Sequence, residues 1–149
     1  MKILLTSIGV ICALTLTAQH SDNWIKNLII TGKYAEAAIY IDSLFETGTE
    51  SSSLLFYAGK TNEELMRYNK AYRYYKKWYS RDTANQDAKL AMARSANLAG
   101  HQTIALKYYE QLSREDPVHF LINFSLGRLY QQIPDYPKAI QVYTRLLTV

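Results

Sequence analysis

Four basic side chains recur along the chain at a constant interval of 34 residues. They are Lys26, Lys60, Arg94 and Arg128. Ammonium and guanidinium groups pair with carboxylates, so a regular row of them is chemistry for binding acidic groups, not for making or breaking bonds. An exposed ion pair contributes only about 0.2–1 kcal/mol, and useful affinity would therefore require several pairs at once.

The residue types on which enzymes depend do not converge in this sequence. His20, His101 and His119 are isolated and have no spacing that suits a zinc site. Glu63-Glu64 and Glu115-Asp116 are adjacent pairs, and adjacent side chains on a helix do not face each other. We expect them to be solvated surface charges. The sequence predicts no catalytic residue, no metal site and no cofactor, and the protein is not expected to be an enzyme.

Apolar and small residues repeat with the same interval as the cations. Within each unit the positions i, i+4 and i+7 lie on one face of a helix, and we expect that face to pack the repeats against one another. The three columns are Ala37, Ala71, Ala105 and Ala139; Ile41, Tyr75, Tyr109 and Tyr143; and Leu44, Trp78, Leu112 and Leu146.

Turn-forming residues separate the helical segments. They include Thr31-Gly32-Lys33, Arg67-Tyr68-Asn69 and Ala99-Gly100-His101 within units, and Asp82 to Asn85 between units. No segment alternates apolar and polar residues as a half-buried strand does. The chain is therefore predicted to be all-α.

This pattern resembles the tetratricopeptide repeat, a helix-turn-helix unit of about 34 residues. The second and fourth units carry the match best, through Leu55, Ala58, Gly59, Ala71 and Tyr75, and through Leu126, Gly127, Tyr130, Ala139 and Tyr143. The resemblance implies a right-handed α-solenoid with four repeats, at about 19–51, 52–85, 86–119 and 120–149, the last incomplete or uncapped.

In proteins of this kind the first helix of each unit lines a concave groove, and the register of the four cations faces into it. Phe56, Tyr57 and Phe124 are expected near the same face, where rings and cations together suit an extended peptide or protein segment. We expect two helices to separate equivalent cations, so that the row spans several Debye lengths. The alternative, that the cations only increase solubility, stays open.

The stretch AYRYYKKWY at residues 71–79 is basic and aromatic, as nucleic-acid sites often are. Its alanine, tyrosine and tryptophan occupy packing registers, however, and a platform for bases requires exposed rings. The net charge of +4 is also small for a dedicated nucleic-acid binder. We expect a helix here, and no nucleic-acid partner.

Residues 1–18 have the layout of a secretory signal peptide: Lys2, an uncharged apolar run, and Ala18 before a polar segment. Cleavage after Ala18 would remove Cys12, the only cysteine. The protein is therefore expected to be exported, periplasmic or extracellular. No later segment is apolar enough to span a membrane.

The sequence stops within the second helix of the fourth unit. Because repeat arrays need a polar end, we expect further sequence or a partner to cover this end. Two functions fit the sequence. The first is a non-enzymatic interaction scaffold in the cell envelope, and the alternative is the N-terminal sensory region of a longer signalling protein or enzyme.

Overall fold

The computed structural model describes residues 20–147 of the chain, and within them every element of regular structure is a helix. The helices are 20–30 (α1), Tyr34–Glu46 (α2), Ser52–Glu64 (α3), Tyr68–Arg81 (α4), Gln86–Leu98 (α5), Gln102–Glu115 (α6), Phe120–Gln132 (α7) and Tyr136–Leu147 (α8). Consecutive helices pair into four hairpins, which confirms the predicted all-α solenoid. The predicted signal peptide, residues 1–18, lies outside the described residues.

Three of the first helices start at equivalent points of the repeat because a side chain caps each of them. Ser51, Asn85 and His119 are separated by the same interval as the cations. Each accepts a hydrogen bond from the backbone amide three residues further on, at 3.0, 2.9 and 3.4 Å. Such caps satisfy an amide that the helix itself leaves unpaired. The caps hold α3, α5 and α7 in the same register.

The turn inside each of the first three hairpins contains one residue with positive φ. Gly32 has φ of 73° and Gly100 has φ of 82°, but the second hairpin places Met66 in this position with φ of 57°. The turn predicted at Arg67-Tyr68-Asn69 therefore lies earlier, since α4 already begins at Tyr68. The sequence misplaced it because methionine is not a turn-forming residue.

The repeated alanines lie where helices meet. Ala37, Ala71 and Ala105 are fully buried, and Ala139 is nearly so. Four residues further on, Tyr75 and Tyr109 are buried in the same way, whereas Tyr143 on α8 is only half-buried. No helix among residues 20–147 packs beyond α8, which explains the difference.

Small residues of the first helices allow the tyrosines to approach closely. A methyl group added to Gly59 would overlap the ring of Tyr75, and one added to Gly127 would lie 2.5 Å from the Tyr143 ring. Each ring thus packs directly on the backbone of the preceding helix. This contact fixes the spacing within the second and fourth hairpins.

Residues 71–79 form part of α4. Ala71 and Tyr75 are buried and Trp78 is half-buried, while the basic residues of the stretch face solvent. The rings therefore mainly pack, as the sequence indicated.

The outer side of α8 carries exposed apolar residues. Ile140 is 66% exposed and Leu147 is 87% exposed. One repeat earlier, the equivalent Leu106 is half-buried and Ser113 is buried. That further sequence or a partner covers this side of α8 stays a prediction. Within residues 20–147, no helix combines the length and the apolar character needed to cross a membrane.

Candidate functional site

The four repeating cations lie at the same position of the first helices α1, α3, α5 and α7. We call the surface made by these helices the inner face. Lys26, Arg94 and Arg128 are exposed and Lys60 is half-exposed. The predicted row therefore exists on one face, although its members differ in their partners.

Arg94 is bound to a carboxylate of the preceding repeat. Its Nε donates to Glu63 Oε1 at 2.8 Å, and its Nη2 donates to Glu63 Oε2 at 2.9 Å. This two-point geometry is the strongest form of arginine–carboxylate pair. For Lys26, Lys60 and Arg128, no carboxylate of the described residues lies within ion-pair distance.

The same pair joins α3 to α5 through long side chains, and α4 packs against both helices. The expected spacing of the cations along the row stays a prediction.

Glu63 is held on its other side by a tyrosine. The Tyr75 hydroxyl donates to Glu63 Oε2 at 3.2 Å. Burial and the nearby Glu63 charge raise the pKa of Tyr75 above its ordinary value. The side chain of Glu63 is 17% exposed against 45% for Arg94. The expectation of a solvated surface charge is thus wrong for Glu63, which is largely buried beneath Arg94 and Tyr75.

Glu115 also has a specific role, since its two oxygens accept hydrogen bonds from Lys89 Nζ at 2.8 and 3.1 Å. Gln86 adds a further bond at 2.7 Å. Because the side chain of Lys89 is only 8% exposed, this carboxylate compensates a charge that is largely removed from water. The pair ties the end of α6 to α5, and it belongs to the scaffold.

A groove of about 590 Å³ opens between α3 and α5. Its apolar surface consists of Phe56, Trp78, Leu90 and Ala91, with the Phe56 and Trp78 rings 5.2 Å apart. Its polar rim consists of Ser52, Ser53, Asp87 and Arg94. We call this the α3–α5 groove. An apolar base with a few polar groups at the edge is typical of a site that binds part of another molecule.

The three predicted aromatic residues lie on the inner face but do not share one pocket. Phe56 lines the α3–α5 groove. Tyr57 lies beside it with ring centroids 5.3 Å apart, and burial together with the Asp22 charge raises the pKa of Tyr57. Phe124 is 40% exposed on α7, where it stacks on Phe120 at 5.5 Å.

Sequence reasoning missed Trp78 and Asp87 in the groove, and it missed Glu63, which pairs with Arg94 on its rim. Trp78 was predicted only as a packing residue, and Asp87 was not singled out. Glu63 lies 31 residues before Arg94, three residues short of one full repeat. A search for acidic residues at this separation from the cations could have found the pair. Trp78 occupies a register in which the other repeats have leucine, so the sequence indicated a packing residue there and not a residue of the groove.

The histidines do not converge in space either. His101 contacts Asn69 Oδ1 at 3.2 Å, and His119 caps α7. In residues 20–147 there is no group of three or more histidine, cysteine or acidic residues that could hold a metal.

Comparisons with known proteins agree with this architecture. No model of a known protein family and no curated protein sequence matches the chain. Solved structures do. MamA from Desulfovibrio magneticus has a TM-score of 0.79 and 13% sequence identity, over 86% of this chain and 72% of that one.

Another MamA structure has a TM-score of 0.77 at 17% identity, over 87% of this chain and 71% of that one. YrrB, described as a TPR protein with an unusual peptide-binding site, has a TM-score of 0.78 at 17% identity, over 83% of this chain and 64% of that one. The chain therefore has the tetratricopeptide repeat fold. At these identities the likeness extends to the fold alone.

Proposed function

We propose that this protein is a non-enzymatic interaction scaffold that binds an extended segment of another protein on its inner face. The observation that carries the proposal is the α3–α5 groove, an apolar cleft flanked by cations that recur at one position of every first helix. No catalytic step is assigned to the chain.

The groove provides the apolar part of such an interaction. Phe56, Trp78 and Leu90 are half-buried and line an open cleft, so a side chain inserted there would cover surface that water now contacts. Burying one aliphatic or aromatic side chain is worth about 1.5–3 kcal/mol.

The cations provide orientation and additional affinity. Lys60 follows Phe56 by one helical turn, and Arg128 follows Phe124 in the same way, so each cation lies beside an apolar side chain on its own helix. Acidic residues of the bound segment would pair with them, while its apolar residues contact the rings. YrrB, with the same fold, is described as having a peptide-binding site, which is consistent with this use of the fold.

The proposed location is outside the cytoplasm, on the strength of the signal-like residues 1–18. Mass spectrometry of the protein recovered from fractionated cells tests this part separately. A mature chain starting at Gln19 in the envelope or the medium would support export, and an intact N-terminus in the cytoplasm would refute it.

The binding face is tested by reversing charges on two sides of the molecule. The Lys60→Glu/Arg128→Glu variant changes the inner face, and the matched Arg73→Glu/Lys76→Glu variant changes the solvent-exposed side of α4 by the same number of charges. Partners captured from an envelope extract should be lost from the first variant and kept by the second. Equal capture by both variants would refute binding on the inner face.

A further inference from the structure

The charge along the inner face is uneven, because only one cation of the row has an anion of its own among the described residues. Glu63 binds Arg94 through both carboxylate oxygens, so the two charges compensate each other at the centre of the row. On either side, Lys60 on α3 and Arg128 on α7 have no carboxylate of residues 20–147 within ion-pair distance.

The compensated pair coincides with the apolar part of the face. Arg94 forms part of the rim of the α3–α5 groove, where Phe56, Trp78, Leu90 and Ala91 provide the apolar surface. The centre of the inner face is thus apolar and carries no net positive charge, since Asp87 lies on the same rim, and its flanks are cationic.

We propose that Glu63 is a specificity-determining residue, which makes the inner face select a segment with an apolar side chain at its centre and acidic residues on both flanks. The inference rests on the proposed function and identifies the class of ligand. The central side chain enters the α3–α5 groove. The flanking carboxylates pair with Lys26 and Lys60 on one side and with Arg128 on the other.

Glu63 excludes a central acid in two ways. A ligand carboxylate at Arg94 would have to compete with a two-point pair that is already formed, and it would meet the negative charge of Glu63 itself. Glu63 is also restrained from moving aside, because it accepts a hydrogen bond from the buried Tyr75. Without Glu63, Arg94 would be one more cation available to acidic ligands.

Two synthetic peptides that differ only at the central residue test the inference, DEDSLSDED and DEDSESDED. Nine extended residues cover about 30 Å, enough to cross several packed helices at about 8–10 Å each. Fluorescence anisotropy measures the affinity of each labelled peptide for the purified protein. The wild type is expected to bind the leucine peptide more than fivefold more tightly than the glutamate peptide. The Glu63 charge accounts for about fivefold, a difference near 1 kcal/mol, and burial of leucine in the groove adds to it.

Glu63→Gln should reduce that preference about fivefold by strengthening binding of the glutamate peptide, while the part due to burial of leucine remains. The carbonyl oxygen of glutamine can accept from Arg94 Nη2 and from Tyr75 as Glu63 Oε2 does, whereas its amide NH2 cannot accept from Arg94 Nε. Circular dichroism verifies that the fold is retained. The matched control is Glu64→Gln, which removes one charge from the exposed neighbouring residue and should leave the preference unchanged. Equal effects of the two substitutions, or an unchanged preference in Glu63→Gln, would overturn the inference.

The two proposals can fail separately. If the wild type bound neither peptide, or bound both with the same affinity as Lys60→Glu/Arg128→Glu, the inference would be refuted. If Lys60→Glu/Arg128→Glu also captured the same partners as the wild type from an envelope extract, the proposed binding face would be refuted as well. If the charge reversals abolished binding while Glu63→Gln changed nothing, binding on the inner face would stand and the role of Glu63 would be refuted.

Discussion

Replacing Gly59 by alanine tests whether the tyrosine column packs on the backbone of the first helices. In a solvent-exposed helix this change stabilises the protein by about 1 kcal/mol, because glycine loses more backbone entropy on folding. Here the added Cβ would lie 2.6 Å from Tyr75 Cδ1 and 2.7 Å from Cζ. These distances are too short for non-bonded carbon atoms, so the ring or α3 must move.

The magnitude follows from the surroundings of the ring. Tyr75 is 1% exposed, and its hydroxyl is bonded to Glu63, so it has little freedom to shift. Overpacking of this kind costs about 1–3 kcal/mol. After subtracting the helix-propensity gain, we expect the free energy of unfolding to fall by about 1–2 kcal/mol.

Urea unfolding followed by far-ultraviolet circular dichroism measures this change. Ala93→Gly is a matched control, since Ala93 occupies the same register of α5 and is fully buried. It should also destabilise, by about 1 kcal/mol, because that position of the repeat already accommodates a methyl group. A stabilised Gly59→Ala variant would refute the close packing of Tyr75 on α3.

For three further substitutions, the structure determines the direction of the change in stability. Met66→Gly should raise the free energy of unfolding by about 1 kcal/mol, because Met66 is 75% exposed and adopts a left-handed conformation; a loss in urea unfolding would contradict this. Asn123→Ala should lower the free energy of unfolding by about 1–3 kcal/mol, because fully buried Asn123 accepts a hydrogen bond from Ser113 at 2.6 Å. A decrease in the thermal midpoint smaller than that caused by a surface alanine substitution would contradict this. Hydrogen bonding from Lys89 lowers the pKa of Glu115, so the stabilisation that this pair gives the fold is present above pH 4.5, the ordinary pKa of a glutamate, and is lost as the pH falls below it. Glu115→Gln should therefore flatten the pH profile of the free energy of unfolding. An unaltered profile would rule out the pair as a contributor.

The periodicity of the sequence predicted much of the fold, because each repeat reuses one packing solution. Ala71 and Ala105 repeat at a fixed interval, and an interval of one helical hairpin requires a repeat stack. The turn at Met66 was misplaced because its left-handed backbone is imposed by the hairpin and is not signalled by the residue type.

The candidate site was predictable in its cations and not in its pairing. The row at Lys60 and Arg94 is visible as a regular interval. The contact between Glu63 and Arg94 depends on α3 and α5 being neighbours, and this is a property of the stack that no single helix encodes. Trp78 reaches the groove for the same reason, since its surroundings come from three helices.

Site-specific photo-crosslinking tests the central claim, binding on the inner face, most directly. A photoreactive phenylalanine analogue is placed at Ser53 on the rim of the α3–α5 groove, and in a separate variant at Arg73 on the exposed side of α4. With the leucine-centred peptide, we predict a covalent adduct from position 53 and none from position 73. An adduct from position 73 alone, or equal adducts from both positions, would contradict the claim.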